Sequence, residues 1–269
     1  MKPLSTLMLA GVVALIGISK PAGAGDACTL IADAQTGKVL AETGSCDQRA
    51  SPASSFKLAL SLMGYDAGIL IDAHTPAWPY KDEYKAAMPS WHITTDPTIW
   101  LEDSIVWYSQ VLTKTLGPEK FQAYVDKFEY GNHDISGDAG RDNGLINSWL
   151  SSSLQISPAE QVAFVRKMLA GKLPVSRQAV EMTKAIMPTF PAANDWTVFG
   201  KTGSGFQRGA DGKLDRTRQL GWFVGWATHN KRTVIFARLI RDDEKTEGSA
   251  GPRARAQLID ELPGLVGKK

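Results

Sequence analysis

The hydrophobic positions of this chain fall into three successive patterns. The first is an apolar run from Leu7 to Ile18, opened by Lys2 and closed by Ala22-Gly23-Ala24. A charged start, a short apolar stretch and a small-residue end predict an export signal over residues 1–24, cleaved after Ala24. The run is too short to serve as a membrane anchor. The second pattern mixes one hairpin with helical spacings. Thr29 to Ala32 and Lys38 to Thr43 read as strands around a turn at Gln35-Thr36-Gly37. Ser51-Pro52 reads as an N-cap with proline at the first helical position, and the buried helix from Phe56 to Met63 is expected to stop at Gly64.

Residues Tyr65 to Pro97 show no period and are expected to be mostly loops. Helical spacing returns over Leu101 to Leu116 and Pro118 to Phe128. Asn132 to Asn147, rich in Gly and Asp, reads as a surface loop. Ser157-Pro158-Ala159-Glu160 is a capping-box start for a helix facing inward through Val162, Val165 and Leu169, and Val175 to Ile186 is a further helix. The third pattern is of strands: Trp196 to Lys201, Leu220 to Ala227 and Thr233 to Ile240, followed by a helix from Arg253 to Leu262. Trp222, Val224 and Trp226 alternate onto one strongly apolar face, with Phe223 and Gly225 on the other. Two strands, many helices, three strands and a last helix predict an α/β fold of the α+β type. Its antiparallel β-sheet joins the hairpin to the C-terminal strands, flanked by helices, in one domain over residues 25–269.

At 43% hydrophobic content over 269 residues the chain can bury a substantial core. Its net charge of +2 disappears with the signal, which removes Lys2 and Lys20 and no acid. A balanced surface argues against nucleic acid or an anionic membrane as a partner and leaves monomer or homodimer open. The two cysteines, Cys28 and Cys46, flank the hairpin, and in an exported protein a disulfide between them is expected. They are too few for a cysteine zinc cage. His74, His92, His133 and His229 lack ligand spacing, so no metal is expected.

Candidate chemistry begins at Ser54-Ser55-Phe56-Lys57. Three residues apart on a helix, the Ser54 hydroxyl and the Lys57 amine share a face. A serine needs a neighbouring base to become a nucleophile, and a lysine serves only when burial disfavours its charged form. Lys201-Thr202-Gly203 ends a strand, where a lysine and a hydroxyl can line a carboxylate-binding edge and Gly203 can let substrate approach the backbone. Ser104-Ile105-Val106 falls on the helical stretch between these two. Ser104 is placed to relay a proton to a leaving nitrogen, and Val106 to keep Lys57 in an apolar setting.

In this order and context the three elements resemble the penicillin-recognising serine enzymes. Val106 in the middle motif, Tyr130-Gly131-Asn132, Trp149 within Ser148-Trp149-Leu150, and Lys201-Thr202-Gly203 bring the likeness closest to the class D β-lactamases, the oxacillinase family. The resemblance implies a serine β-lactamase/transpeptidase-like fold and hydrolysis of β-lactam antibiotics in the periplasm, conferring resistance. It implies Ser54 as acylated nucleophile and Lys57, carboxylated by carbon dioxide or bicarbonate to N6-carboxylysine, as general base. Trp149 would donate its indole N–H to that carbamate, and no other cofactor is implied. The backbone N–H groups of Ser54 and Ser204 would form the oxyanion hole. Lys201, Thr202 and Arg253 would bind the substrate carboxylate, Arg255 being the neighbouring alternative to Arg253. Tyr130-Gly131-Asn132 is read as a structural turn beside the site.

Competing readings share parts of this set. A penicillin-binding transpeptidase or carboxypeptidase has the Ser-x-x-Lys and Lys-Thr-Gly elements, but Val106 and the lack of an anchor or additional domain speak against it. A β-lactam sensor acylates without turnover, but hangs from transmembrane segments. A catalytically silent homologue is disfavoured by the intact Ser54, Lys57, Ser104 and Lys201.

Overall fold

The computed structural model describes residues 28–209 and 211–267; the export signal read over residues 1–24 lies outside them. Its centre is a six-stranded antiparallel sheet, β1 (Cys28–Asp33), β2 (Val39–Thr43), β3 (Thr189–Ala192), β4 (Trp196–Arg208), β5 (Leu214–His229) and β6 (Arg232–Arg241), in the order β2-β1-β6-β5-β4-β3. The expected joining of hairpin and C-terminal strands occurs between β1 and β6, with Leu30 opposite Ala237. Cys28 and Cys46 form the disulfide that closes the hairpin. Strand β3 was not legible in the sequence. It is four residues long, contains Pro191, and pairs only at the sheet's edge, where a missing N–H is tolerated.

Helix α8 (Ala250–Leu265) covers one face of the sheet, packing Ala254, Leu258 and Leu262 on Phe223, Val234 and Phe236. Helices α1 (Lys57–Asp66), α2 (Pro97–Glu102), α3 (Val106–Leu116), α4 (Pro118–Lys127), α5 (Gly144–Asn147), α6 (Pro158–Leu169) and α7 (Arg177–Ala185) lie on the other side. Residues from them enclose Trp222, Val224 and Trp226 in the larger core. The β5 alternation is therefore real, but both of its faces are buried, which explains its near-continuous apolar sequence.

Three local expectations are corrected. Gly64 does not stop its helix; it sits inside α1, where an added Cβ would stand 2.7 Å from the Leu70 side chain, so close packing rather than termination demands it. Ser51 is not an N-cap: its hydroxyl donates to the Trp149 carbonyl at 2.8 Å and accepts from the Ser151 N–H at 2.9 Å. The stretch from Leu101 to Leu116 is two helices, α2 and α3, broken at residues 103–105 where Ser104 takes a left-handed φ of 59°. The capping box survives intact, Ser157 and Glu160 bonding each other's backbone at the start of α6.

Candidate active site

Ser54 lies in a 3-10 turn, Ala53–Phe56, that leads directly into α1. From Ser51 to Met63 every side chain is buried except that of Ser54. The turn is held from both sides. The Ser55 hydroxyl donates to the Pro52 carbonyl at 2.7 Å and accepts from Gln161 Nε2 at 3.2 Å. Ala53 adopts φ 48°, a left-handed conformation costly for a residue with a Cβ, immediately before the half-buried Ser54.

Lys57 is the first residue of α1 and is fully buried, with Nζ 3.1 Å from Ser54 Oγ. Loss of hydration, and secondarily the positive charge of Lys201, hold this amine well below the ordinary lysine range. Its charged form is thus disfavoured, and it stands in hydrogen-bond contact with a solvent-reachable hydroxyl. Lys201, on β4, is also buried, and desolvation with a smaller contribution from Arg255 brings it down to about 7. Its Nζ donates to the Thr202 carbonyl at 3.3 Å.

Trp149 packs behind the nucleophile's turn, its ring 5.7 Å from Phe56 and 6.3 Å from Phe121. The ring is fully buried, and its Nε1 has no hydrogen-bond partner among the described residues. An indole N–H sealed without an acceptor is unfavourable, by about 1–3 kcal/mol, and marks a place built for an acceptor. Tyr130 closes the same cluster edge-on to Phe56 at 5.0 Å and accepts from Gln161 Nε2. Gly131 (φ 59°) approaches Gln155 so closely that a Cβ would stand 2.0 Å from its carbonyl oxygen, and Asn132 bonds Ser153 and Gln155. These bonds and close contacts hold Tyr130-Gly131-Asn132 as a tightly packed turn beside the Phe56–Trp149 cluster.

Gly203 packs against the nucleophile's turn. A Cβ there would meet the Pro52 carbonyl at 2.7 Å, the Ser55 nitrogen at 2.8 Å and the Ser54 nitrogen at 3.1 Å. The missing side chain admits the protein's own nucleophile turn. Strand β3 pairs with β4 only up to Phe199, so the rest of that β4 edge has no strand beside it among the described residues. Ser204 is exposed there, its hydroxyl accepting the Gly251 N–H at 2.9 Å.

Ser104 is half-buried in the turn before α3, and α3 packs on α1. Val106 opens α3 and is only partly covered; Ile105 is the buried apolar residue of that motif, so Val106 is not core. Arg253 does not stand free. Its Nη1 and Nη2 bond the two carboxylate oxygens of buried Asp242 at 3.1 and 2.6 Å, and its Nε is buried without a partner. Arg255 lies over the Phe190 ring, 4.6 Å from its centroid. Asp242 and Ser151, whose hydroxyl accepts the Phe206 N–H at 3.0 Å, tie the site together but carry no motif by which sequence reasoning could have found them.

Residues 27–261 match the penicillin binding protein transpeptidase domain. The chain is 50% identical over 243 residues to β-lactamase OXA-9 of Klebsiella pneumoniae, covering 90% of this chain and 89% of that protein. This chain belongs to the class D β-lactamases. A second class D relative, β-lactamase OXA-1 of Escherichia coli, is 39% identical over 203 residues, covering 75% of this chain and 70% of that one. The crystal structure of the class D β-lactamase OXA-427 superimposes with a TM-score of 0.83 at 44% identity, covering 88% of this chain and 97% of that one. The class D membership inferred from Val106, Tyr130-Gly131-Asn132 and Trp149 holds, and with it the antiparallel serine β-lactamase/transpeptidase-like fold.

Proposed function

We propose that this class D β-lactamase works in the periplasm, hydrolysing β-lactams through an acyl-enzyme on Ser54 with Lys57 as the seat of the general base. The contact at 3.1 Å between the half-buried Ser54 hydroxyl and the fully buried Lys57 amine, whose charged form burial disfavours, carries this reading. Among the described residues no helix is long and apolar enough to cross a membrane. Carbon dioxide fits at Lys57 Nζ on two counts: carboxylation consumes a neutral amine, and the unsatisfied Trp149 Nε1–H supplies a donor for the anion formed. So bound, it supplies an anionic base beside Ser54.

In acylation Ser54 Oγ attacks the lactam carbonyl carbon, and its proton leaves toward the Nζ end of Lys57. The backbone N–H groups of Ser54 and Ser204 serve as the oxyanion donors, Gly203, next to Ser204, lying against the Ser54 turn. As the carbonyl–nitrogen bond breaks, the ring nitrogen takes a proton through the Ser104 hydroxyl. Lys201 and Thr202 hold the substrate carboxylate, which favours the charged form of Lys201. In deacylation a water attacks the ester on Ser54, losing its proton toward Lys57, and Ser54 leaves as the free hydroxyl.

The test is penicillin hydrolysis by the exported form with and without bicarbonate, beside Ser54→Ala. Multiple turnovers that rise with bicarbonate and vanish in Ser54→Ala are expected. A single stoichiometric burst would assign the chain to a penicillin-binding or sensor role.

A further inference from the structure

The family likeness leads one to expect a substrate-binding arginine at position 253, yet this arginine is committed elsewhere. Both of its terminal nitrogens bond the carboxylate of Asp242, a residue buried to 2% exposure at the end of β6. Asp242 is itself fixed by its backbone: its N–H donates to the Gln219 carbonyl at 2.9 Å, and its carbonyl accepts from Gln207 Nε2 at 2.6 Å. Gln219 in turn accepts the Ala250 N–H at 3.1 Å and donates to the Gly248 carbonyl at 2.9 Å. These bonds tie the start of α8 to strands β4, β5 and β6.

What that start touches gives the network its consequence. A Cβ on Gly251 would stand 2.7 Å from the Gly203 carbonyl oxygen and 2.8 Å from Ser204 Oγ, and one on Gly221 would stand 2.3 Å from the Ala250 carbonyl carbon. The Gly251 N–H bonds Ser204 Oγ at 2.9 Å. The first turn of α8 is thus pressed onto the Gly203-Ser204 segment from one side, while the Ser54 turn presses on Gly203 from the other.

We propose that Arg253 is a positioning residue: through Asp242 it seats the first turn of α8 on Ser204 and so fixes the Ser204 N–H opposite Ser54. The substrate carboxylate is left to Lys201 and Thr202. This rests on the assignment of the Ser204 N–H as an oxyanion donor.

The experiment compares Arg253→Met, Arg253→Lys, Asp242→Asn and the Asp242→Asn/Arg253→Met double variant on a penicillin and on its methyl ester, which lacks the carboxylate charge. Seating acts on the transition state, so kcat should fall about tenfold or more in Arg253→Met and Asp242→Asn alike, for acid and ester equally. The acid-to-ester ratio of KM should stay as in the unaltered protein. The double variant should be no worse than either single one, and Arg253→Lys should recover most of kcat. An acid-selective rise in KM in Arg253→Met, with kcat preserved in Asp242→Asn, would overturn the proposal and return Arg253 to carboxylate binding. Should Asp242→Asn fail to fold, the acid-against-ester comparison in Arg253→Met decides alone. Acylation of the unaltered protein by a fluorescent penicillin, and its absence in Ser54→Ala, tests the underlying assignment separately.

Discussion

Gly203 and Ser54 are packed so tightly that a methyl group on the glycine would lie 3.1 Å from the Ser54 amide nitrogen, and closer still to Pro52 and Ser55. The contacting atoms are backbone, which cannot rotate aside. Gly203→Ala should therefore push the nucleophile's turn away from β4, costing about 1–3 kcal/mol in stability. If the Ser54 and Ser204 N–H groups are the oxyanion donors as proposed, kcat should fall by about a hundredfold or more. Thermal unfolding and steady-state penicillin kinetics check both. A variant with native kcat would show that the separation of Ser54 from β4 is not what sets the rate.

The isolated indole of Trp149 gives a more selective test. Trp149→Phe keeps most of the ring packing against Phe56 and Phe121 while deleting its unpartnered indole donor. Since that donor makes no bond among the described residues, its loss should cost little stability. Retention of carbon dioxide on Lys57 should weaken, so activity at low bicarbonate should drop and be restored by added bicarbonate. Bicarbonate-independent full activity would remove Trp149 from the mechanism. Lys57→Ala should fold, lose turnover, and gain nothing from bicarbonate.

Local chemistry was legible in the sequence wherever a pattern had one physical cause. The capping box at Ser157, the hairpin closed by Cys28 and Cys46, and the shared face of Ser54 and Lys57 all have that character. Errors arose where tertiary packing overrode local signals. Gly64 resembles a helix stop but is required by Leu70, six residues on, and Ser51 resembles a cap but is claimed by Trp149 and Ser151, about a hundred residues away. The break at Ser104 leaves no Gly or Pro to announce it, because the left-handed turn is held by what surrounds it. Arg253 shows the same limit at the site: its sequence position suggests a free cation, and only the folded chain brings Asp242 to it.

The disulfide lies at the end of the sheet formed by β1 and β2, outside the catalytic turn. It closes a short loop, Cys28 and Cys46 being 18 residues apart, so its removal should release roughly 3 kcal/mol of loop-closure entropy to the unfolded chain. Cys28→Ser/Cys46→Ser should lower the urea midpoint accordingly and leave kcat and KM unchanged. A change in KM would mean that the hairpin influences the site through β6.

Lys201 makes stability depend on pH in a direction opposite to that of a paired surface lysine. Burial lowers its folded value from 10.5 to about 7, so between these values the unfolded chain binds a proton that the folded chain does not. Stability should therefore rise with pH above about 7, by up to roughly 1.4 kcal/mol per pH unit from this group, and Lys57 acts in the same sense. Near pH 10 the trend should reverse, because burial raises Tyr65, Tyr108 and Tyr130 in the folded state and their unfolded counterparts ionise first. Urea midpoints measured at pH 7, 8 and 9 for the unaltered protein and for Lys201→Met isolate the Lys201 contribution as the difference between the two slopes. Equal slopes would mean that Lys201 keeps its proton in the folded protein. For catalysis the same titration works the other way: as free Lys201 loses its charge above about pH 7, KM for a carboxylate-bearing penicillin should rise, and KM for the methyl ester should not.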